Sequence, residues 1–290
     1  MIAIEQLRYV RLGTRDLAAA ADFAQRILGL QPAGRDDTQA AFRSDHRDPT
    51  LIFVAGDPAE QAVGFEIHGE DAFAAAVAAL EADVAVSRGD GAQCAERKVR
   101  ALASVKDPAG NVIELVLRPL NSGWRYFPSR DAGVQGLAAV ALRTPDAPAA
   151  ERFWTRHFNA RVSDWVGDAA YLRIDDAHHC IAYHPSTGRG ALAVEFAVET
   201  VDLLMQNSYF LQAAQIRAVH GPGRRPTSDQ LFLTFPGPDG VLYSFVADGS
   251  RIADEAKHRP RQFPRSPVSL CNWGSETSVP EFDLRDRRDA

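Results

Sequence analysis

Two long stretches of this 290-residue chain repeat each other in one register. The segment at residues 7–12, which begins and ends with leucine, recurs at 137–142, an offset of 130 residues. Later in each stretch, residues 62–65 match residues 193–196 with a slip of a single residue. Random matches would not keep one register over this length, so the chain is predicted to contain two modules of the same architecture.

Each repeat divides again into two smaller units. Residues 7–13 are predicted to form a strand, and Asp16 can cap a helix whose apolar residues fall on one face. The alanine-rich segment 70–82 is a second predicted helix, and the other repeat places helices at 146–158 and 200–216. Short strands follow every helix. The sequence therefore predicts an α+β fold built from four βαβββ units, in which paired units face each other around a concavity.

The domain boundaries follow from the repeat and from glycine and proline positions. We predict an N-terminal module at 1–120, a linker at 121–133 and a C-terminal module at 134–250. The remaining segment, 251–290, is polar and proline-rich and ends in charged residues, so we expect its end to fray.

Composition excludes several classes of partner. The formal net charge is −6 and no basic run offsets it, which argues against a nucleic acid or an anionic membrane surface as a partner. Apolar runs stop well short of the roughly 18 residues that a membrane-spanning helix needs. Charged residues from Glu5 onward interrupt the region where a secretory signal would have its apolar core. We expect a cytoplasmic protein that binds small molecules.

The turns before the last strand of each module complete a family pattern. They read Pro-Ala-Gly at 108–110 and Pro-Asp-Gly at 238–240. Four βαβββ units with these turns resemble the vicinal oxygen chelate superfamily, which includes glyoxalases, bleomycin resistance proteins and extradiol dioxygenases. Residues 4–250 are most similar to the two-module type I extradiol dioxygenases that act on dihydroxybiphenyl and 2,3-dihydroxy-p-cumate.

That resemblance carries several implications for fold and role. Each module should form a curved, partly closed mixed sheet around a central cavity. The N-terminal module should be non-catalytic, and the C-terminal module should hold the ligand pocket. The family role is aromatic compound catabolism, and its members imply a homo-oligomer.

The resemblance also implies a metal site, which this sequence does not keep. Family enzymes hold Fe(II), less often Mn(II), with two histidines and one glutamate of the C-terminal module. The matching positions in this chain are Ala139, Ala193 and Ser244. None of these side chains is a ligand for such a metal, so we predict that the metal site is lost and that no cofactor is bound. In the N-terminal module the glutamate position is Glu114, which we expect to be a structural carboxylate.

A histidine motif marks the rest of the predicted pocket. The family places an acid/base histidine beside the metal in a His-His-x-Ile-Ala motif, which assigns that role to His179 in the segment 178–182. A further family histidine is replaced by Arg225, and Asp229 matches a pocket aspartate. The predicted catalytic residues are therefore His179, Arg225 and Asp229. If 178–184 were a strand, His178 and His184 would stand about 20 Å apart and His179 would face the opposite side, which argues against a new metal site there.

The predicted substrate-binding residues combine charge with aromatic rings. Arg224 or Arg225 could bind a ligand carboxylate through two parallel hydrogen bonds, and His179 lies beside them. Phe196, Phe235 and Tyr243 are the aromatic candidates, although strand alternation lets only some of them face inward.

Three hypotheses about function remain open from the sequence. The first is a metal-free relative of the extradiol dioxygenases that binds a small aromatic or carboxylated molecule, with metal-independent acid/base activity through His179. The second is a working Fe(II)- or Mn(II)-dependent catechol ring-cleavage enzyme whose ligands lie elsewhere. The third is a structural or regulatory partner of a true dioxygenase.

Overall fold

Two mixed β-sheets of eight and nine strands make up the molecule, and neither closes into a barrel. This computed structural model describes residues 1–284, so the charged end of the tail at 285–290 lies outside the described residues. The predicted fold class, α+β with four βαβββ units in two modules, is confirmed. No helix within the described 284 residues is long and apolar enough to cross a membrane.

The N-terminal module contains eight strands and three short helices. Its strands are β1 Gln6–Thr14, β2 Gln31–Arg35, β3 Gln39–Arg43, β4 Leu51–Ala55, β5 Gln61–Ile67, β6 Val86–Arg88, β7 Ala101–Lys106 and β8 Val112–Leu117. Its helices are α1 Leu17–Asp22, α2 Glu70–Glu81 and α3 Gly91–Glu96. Helix α1 begins after Asp16, whose side chain accepts a hydrogen bond from the amide of Ala19 as predicted for a cap.

The C-terminal module repeats this order and adds one strand from the tail. Its strands are β9 Val134–Thr144, β10 Arg161–Val166, β11 Ala169–Arg173, β12 Ile181–Pro185, β13 Gly190–Val198, β14 His220–Arg224, β15 Leu231–Pro236, β16 Leu242–Ala247 and β17 Arg261–Phe263. Its helices are α4 Ala147–His157 and α5 Val201–Ala213. Helix α4 ends one residue before the predicted end at 158, and helix α5 ends three residues before the predicted end at 216.

Three neighbouring strands form the centre of each sheet. In the N-terminal module β5 lies between β1 and β8, and in the C-terminal module β13 lies between β9 and β16. The first pair of each set is antiparallel and the second is parallel. Successive side chains of a strand point to opposite faces, so each central strand contributes to a convex face and to a concave face.

The convex faces carry the helices and join the two modules in one core. Trp154 of α4 packs on Phe65 of β5, with ring centroids 5.0 Å apart. In the reverse direction Phe23, next to α1, packs on Tyr243 of β16 at 4.9 Å. All but Phe23 are almost completely buried. The apolar core of each module therefore includes an aromatic ring from a helical segment of the other module.

The C-terminal segment is part of the second module. Strand β17 pairs in parallel with β10 at the edge of the nine-stranded sheet. Further on, the segment buries apolar side chains against the concave face of the sheet, namely Leu270, Val279, Phe282 and Leu284. The later part of the segment is thus packed against the sheet, while the charged end that we expect to fray lies outside the described residues.

Prediction for the module interface. A buried hydrogen-bonded chain joins the modules: Trp154 donates to the hydroxyl of Tyr183 at 2.8 Å, and that hydroxyl donates to Asp107 at 2.7 Å. Tyr183→Phe leaves the Trp154 N–H without a partner, so it should lower the free energy of unfolding by about 1–3 kcal/mol in denaturant titrations. Tyr209→Phe, at an exposed tyrosine, should change it by less than about 0.5 kcal/mol. Equal effects of the two substitutions would contradict the assignment.

Candidate functional site

The three positions that match the family's metal ligands, 139, 193 and 244, lie together on the concave face of the C-terminal module. Strand pairing places Glu195 of β13 opposite both Ala139 of β9 and Ser244 of β16. Directly paired residues face the same side of a sheet, and Ala193 lies two residues from Glu195, so it shares that face. All four residues are at least 95% buried. The structure thus brings the three positions together around Glu195, a residue that the sequence analysis did not single out.

Glu195 is bound by Arg225, which follows directly after β14. Arg225 Nη2 donates to Glu195 Oε1 at 2.5 Å and Nη1 donates to Oε2 at 3.0 Å, which is a bidentate pair. Nη1 also donates to the side-chain oxygen of Gln230 at 2.5 Å. Burial lowers the pKa of Arg225, but the charge of Glu195 more than offsets this, so the pKa is raised and the guanidinium keeps its charge.

His179 lies beside this ion pair at the end of a buried polar chain. Its Nε2 atom is 3.8 Å from Glu195 Oε2, which is too long for a hydrogen bond. Its Nδ1 atom is 3.1 Å from Nδ1 of His178, and His178 Nε2 is 3.0 Å from Asp164 Oδ2. Arg261 then donates to Asp164 at 2.6 Å. This series of polar contacts connects Arg261 of the tail strand β17 with His179 in the site.

The two neighbouring histidines do not face opposite sides, as a strand would require. His178 and His179 lie in the irregular segment before β12, and this freedom lets both rings turn toward each other. The ring of Tyr171 also contacts both, and His184 on its other side, with centroids 5.1–6.2 Å away. The expected distance of about 20 Å between His178 and His184 is therefore corrected, because the intervening residues are not one extended strand.

Burial keeps His179 neutral. Loss of solvent lowers its pKa well below the usual value, and the neighbouring His178 and the positive charge of Arg225 lower it further. A neutral imidazole has one ring nitrogen free to accept a proton. His179 is therefore a neutral but weak base, because protonating it would be costly in this environment.

The tail closes the hollow above these residues. Phe282 packs against the rings of His184 and His220, with centroids 5.1 and 5.7 Å away. Next to it, Glu281 accepts a hydrogen bond from Arg143 at 2.6 Å, which attaches the tail to β9. The space left between Arg225, Glu195 and the tail is about 20 Å³, enough for no more than a water molecule.

The remaining predicted pocket residues lie elsewhere. Phe196, Phe235 and Tyr243 belong to the apolar core shared by the modules. Their positions alternate with the residues of the concave face, so they point to the helices, and this corrects their assignment to the pocket. Arg224 pairs with Asp229 and Asp248 at the protein surface. Successive side chains point to opposite sides of the backbone here, so Arg225 enters the site and Arg224 faces the surface. Asp229, the partner of Arg224, is therefore exposed and is not a pocket residue.

The donor set does not fit Fe(II) or Mn(II). The hydroxyl of Ser244 is hydrogen-bonded to Thr234 at 2.8 Å, and the alanines at 139 and 193 offer no donor atom. The nearest carboxylate, Glu195, already binds Arg225. Within residues 1–284, no group of three or more histidine, cysteine, aspartate and glutamate side chains is arranged to hold a metal ion.

The corresponding face of the N-terminal module also holds a carboxylate bound by an arginine. Glu114 of β8 accepts a hydrogen bond from Tyr9 at 2.5 Å and one from Arg97 at 2.8 Å. The ring of Tyr9 occupies the space above Gly64, where a Cβ atom would lie 2.4 Å from it. All oxygens of Glu114 therefore have partners, as expected for a structural carboxylate.

Comparisons with known proteins agree with the family that the sequence resembles. A family model, the Glyoxalase/Bleomycin resistance protein/Dioxygenase superfamily, matches residues 6–115 and 136–245, once in each module. The chain is 24% identical over 304 residues to an iron-dependent extradiol dioxygenase of Rhodococcus jostii, covering 96% of this chain and 99% of the relative. It is 30% identical over 200 residues to a 3-methylcatechol 2,3-dioxygenase of Pseudomonas putida, covering 63% and 68% of the two chains.

Solved structures share the fold over its whole length. A halotolerant catechol dioxygenase, BphC, superimposes with a TM-score of 0.86 at 21% identity and 98% coverage of both chains. An Mn(II)-bound glyoxalase from Novosphingobium aromaticivorans gives a TM-score of 0.84 at 20% identity and 99% coverage of both chains. With one family-model match per module, the chain belongs to the Glyoxalase/Bleomycin resistance protein/Dioxygenase superfamily, and its relatives include extradiol dioxygenases.

Proposed function

We propose that this chain binds a small aromatic or carboxylated molecule and does not cleave catechol rings, because it has lost the metal site of its relatives. The observation that carries the proposal is the Glu195–Arg225 pair, which lies among Ala139, Ala193 and Ser244. No cofactor is part of this proposal.

Electrostatics supports the loss of a metal ion. A divalent cation on this face would stand beside the buried guanidinium of Arg225, and the two positive charges would repel each other strongly in a medium of low dielectric constant. Glu195 could turn to the metal only by leaving Arg225 buried without a partner. Changes to residues around a metal's ligands already cost about 10- to 100-fold in metal affinity, and here the ligands themselves are absent.

The same pair supports the proposed chemistry of the ligand. Arg225 presents a planar fork that fits a carboxylate, and Glu195 now fills that place from within the chain. A ligand carboxylate would replace Glu195 there, and the tail around Phe282 would have to move away. His179 would then be the base nearest to the ligand, with no metal required.

A second candidate function is Fe(II)-dependent ring cleavage. The observation that favours it is the relationship, over nearly the full chain, to a protein described as an iron-dependent extradiol dioxygenase. It requires a set of metal ligands other than the side chains at 139, 193 and 244.

Prediction for metal content. The purified chain, incubated with Fe(II) without oxygen and then freed of unbound metal, should retain far less than one iron per chain. Addition of 3-methylcatechol or biphenyl-2,3-diol should cause no oxygen uptake above the buffer rate. The Pseudomonas putida 3-methylcatechol 2,3-dioxygenase, treated in parallel, is the positive control. Stoichiometric iron together with oxygen uptake would establish the second candidate instead.

Prediction for the buried pair. Glu195→Ala leaves a buried guanidinium without its carboxylate, so it should lower the free energy of unfolding by about 3–5 kcal/mol in denaturant titrations. Asp176→Ala removes the carboxylate from an exposed pair with Arg251 and is the matched control, with an expected cost below about 1 kcal/mol. A double variant Glu195→Ala/Arg225→Met should recover a large part of the loss.

Prediction for carboxylate rescue. Glu195→Ala opens space beside Arg225, so acetate should raise the stability of this variant more than chloride does at equal ionic strength. In the wild type and in the double variant Glu195→Ala/Arg225→Met, acetate and chloride should have the same effect on stability, because neither protein has a free arginine in the site. An identical response of all three proteins would exclude Arg225 as a carboxylate-binding residue.

A further inference from the structure

The N-terminal module has an open cavity on the face that the tail fills in the C-terminal module. Its volume is about 290 Å³, and it lies along the central strands β1, β5 and β8 beside β7 and α3. Arg189, directly before β13 of the other module, and Ala191, within β13, close one side. Both modules therefore contribute to its wall.

The inner wall of the cavity is polar but electrically balanced. Arg11 donates to Glu96 at 2.6 Å, Arg97 is 3.0 Å from Glu96, and Arg97 also binds Glu114. The two arginines and two glutamates neutralise each other. Tyr9 stays protonated beneath them, because burial and the charge of Glu114 raise its pKa well above the usual value. This wall provides no free charge for a ligand.

The rim differs because it carries two cations that form no ion pair within the described part of the chain. Lys106, at the end of β7, and Arg189 both line the cavity and are exposed, and neither makes an ion pair with any residue in the range 1–284. Arg189 Nη1 donates to the carbonyl of Gly110 at 2.9 Å, which fixes its side chain at the rim. Glu60 is the single opposing carboxylate among the exposed lining residues described. The rim thus has an excess of positive charge that attracts anions.

The cavity also has apolar lining and room for one ring. Ala62, Val112, Leu142 and Ala191 are among the apolar residues that line it. A cavity of about 150 Å³ is known to accept benzene, and pockets for small ligands begin near 300 Å³. The volume of this cavity therefore suits one substituted ring and not a fused or doubled ring system.

We infer that the N-terminal module binds a single-ring aromatic carboxylate, with the ring against Ala62, Val112 and Ala191 and the carboxylate between Lys106 and Arg189. The site is distinct from Arg225 and His179, which lie in the other module. This inference does not depend on whether the C-terminal module binds a metal, so it is independent of the proposed function.

Benzoate and benzamide test this inference, because they have the same size and differ in charge. In calorimetric titrations of the full chain at low ionic strength, benzoate should bind about tenfold more tightly than benzamide, since only benzoate carries a negative charge that the two exposed cations attract. The double variant Lys106→Met/Arg189→Met should lose this difference and keep the affinity for benzamide. Added salt should weaken the binding of benzoate alone.

Three further variants locate the site. Lys257→Met removes an exposed lysine remote from the cavity lining and should leave benzoate binding unchanged. Val112→Trp fills the cavity and should abolish binding of both compounds, with circular dichroism as the check that the chain is folded. Arg161→Met removes an exposed arginine of the C-terminal module that lies outside both sites and should leave benzoate binding intact. Unchanged benzoate binding in Lys106→Met/Arg189→Met, or its loss in Arg161→Met, would overturn the inference, and so would no binding by the wild type.

Discussion

The side-by-side pairing of three central strands governs the rest of this structure. In the C-terminal module it places residues 139, 195 and 244 in one row, and in the N-terminal module it does the same for Tyr9, Gly64 and Glu114. Because side chains alternate along each strand, the same pairing that builds the concave face also builds the convex one. Substitutions along these strands therefore act on one of two separate regions, the shared core or the hollow, and neighbouring residues differ completely in role.

Charge balance is the constraint on what each hollow contains. A carboxylate buried on a concave face needs a cation, since an isolated buried charge is far too costly. In both modules that cation is an arginine from outside the central strands, Arg97 for Glu114 and Arg225 for Glu195. The two carboxylates are on different strands, β8 and β13, yet both are bound by an arginine.

Sequence reasoning reached the repeat and the family, because both depend on local spacing. The turn at Pro238–Gly240 is an example: Asp239 and Gly240 adopt the positive φ angles that its sequence suggests. Glu195 was missed because its partner, Arg225, lies 30 residues away and no spacing rule joins them. A single charged residue inside the apolar run 191–198 was nevertheless a usable signal, since such a residue must find a partner.

The aromatic residues show a different limit. Phe235 and Tyr243 look like pocket residues in the sequence, and only the position of Phe23, more than 200 residues earlier, shows that they belong to the core. Register shifts add to the difficulty, because a bulge such as that between Glu195 and Phe196 changes the pairing by one residue. Which residues face the hollow thus depends on pairing that the sequence does not state.

The two hollows differ mainly in what covers them. The tail reaches the C-terminal hollow because β17 pairs with β10 at the edge of that sheet and directs the following residues across its concave face. The N-terminal sheet has no such segment in the described chain, and its edge strand β6 is followed by α3, which forms one wall and leaves the space open. Two modules with one fold can therefore differ in their hollows without any change in the sheets: the covered hollow holds its own carboxylate, and the open one has at its entrance two cations without an ion-pair partner among residues 1–284.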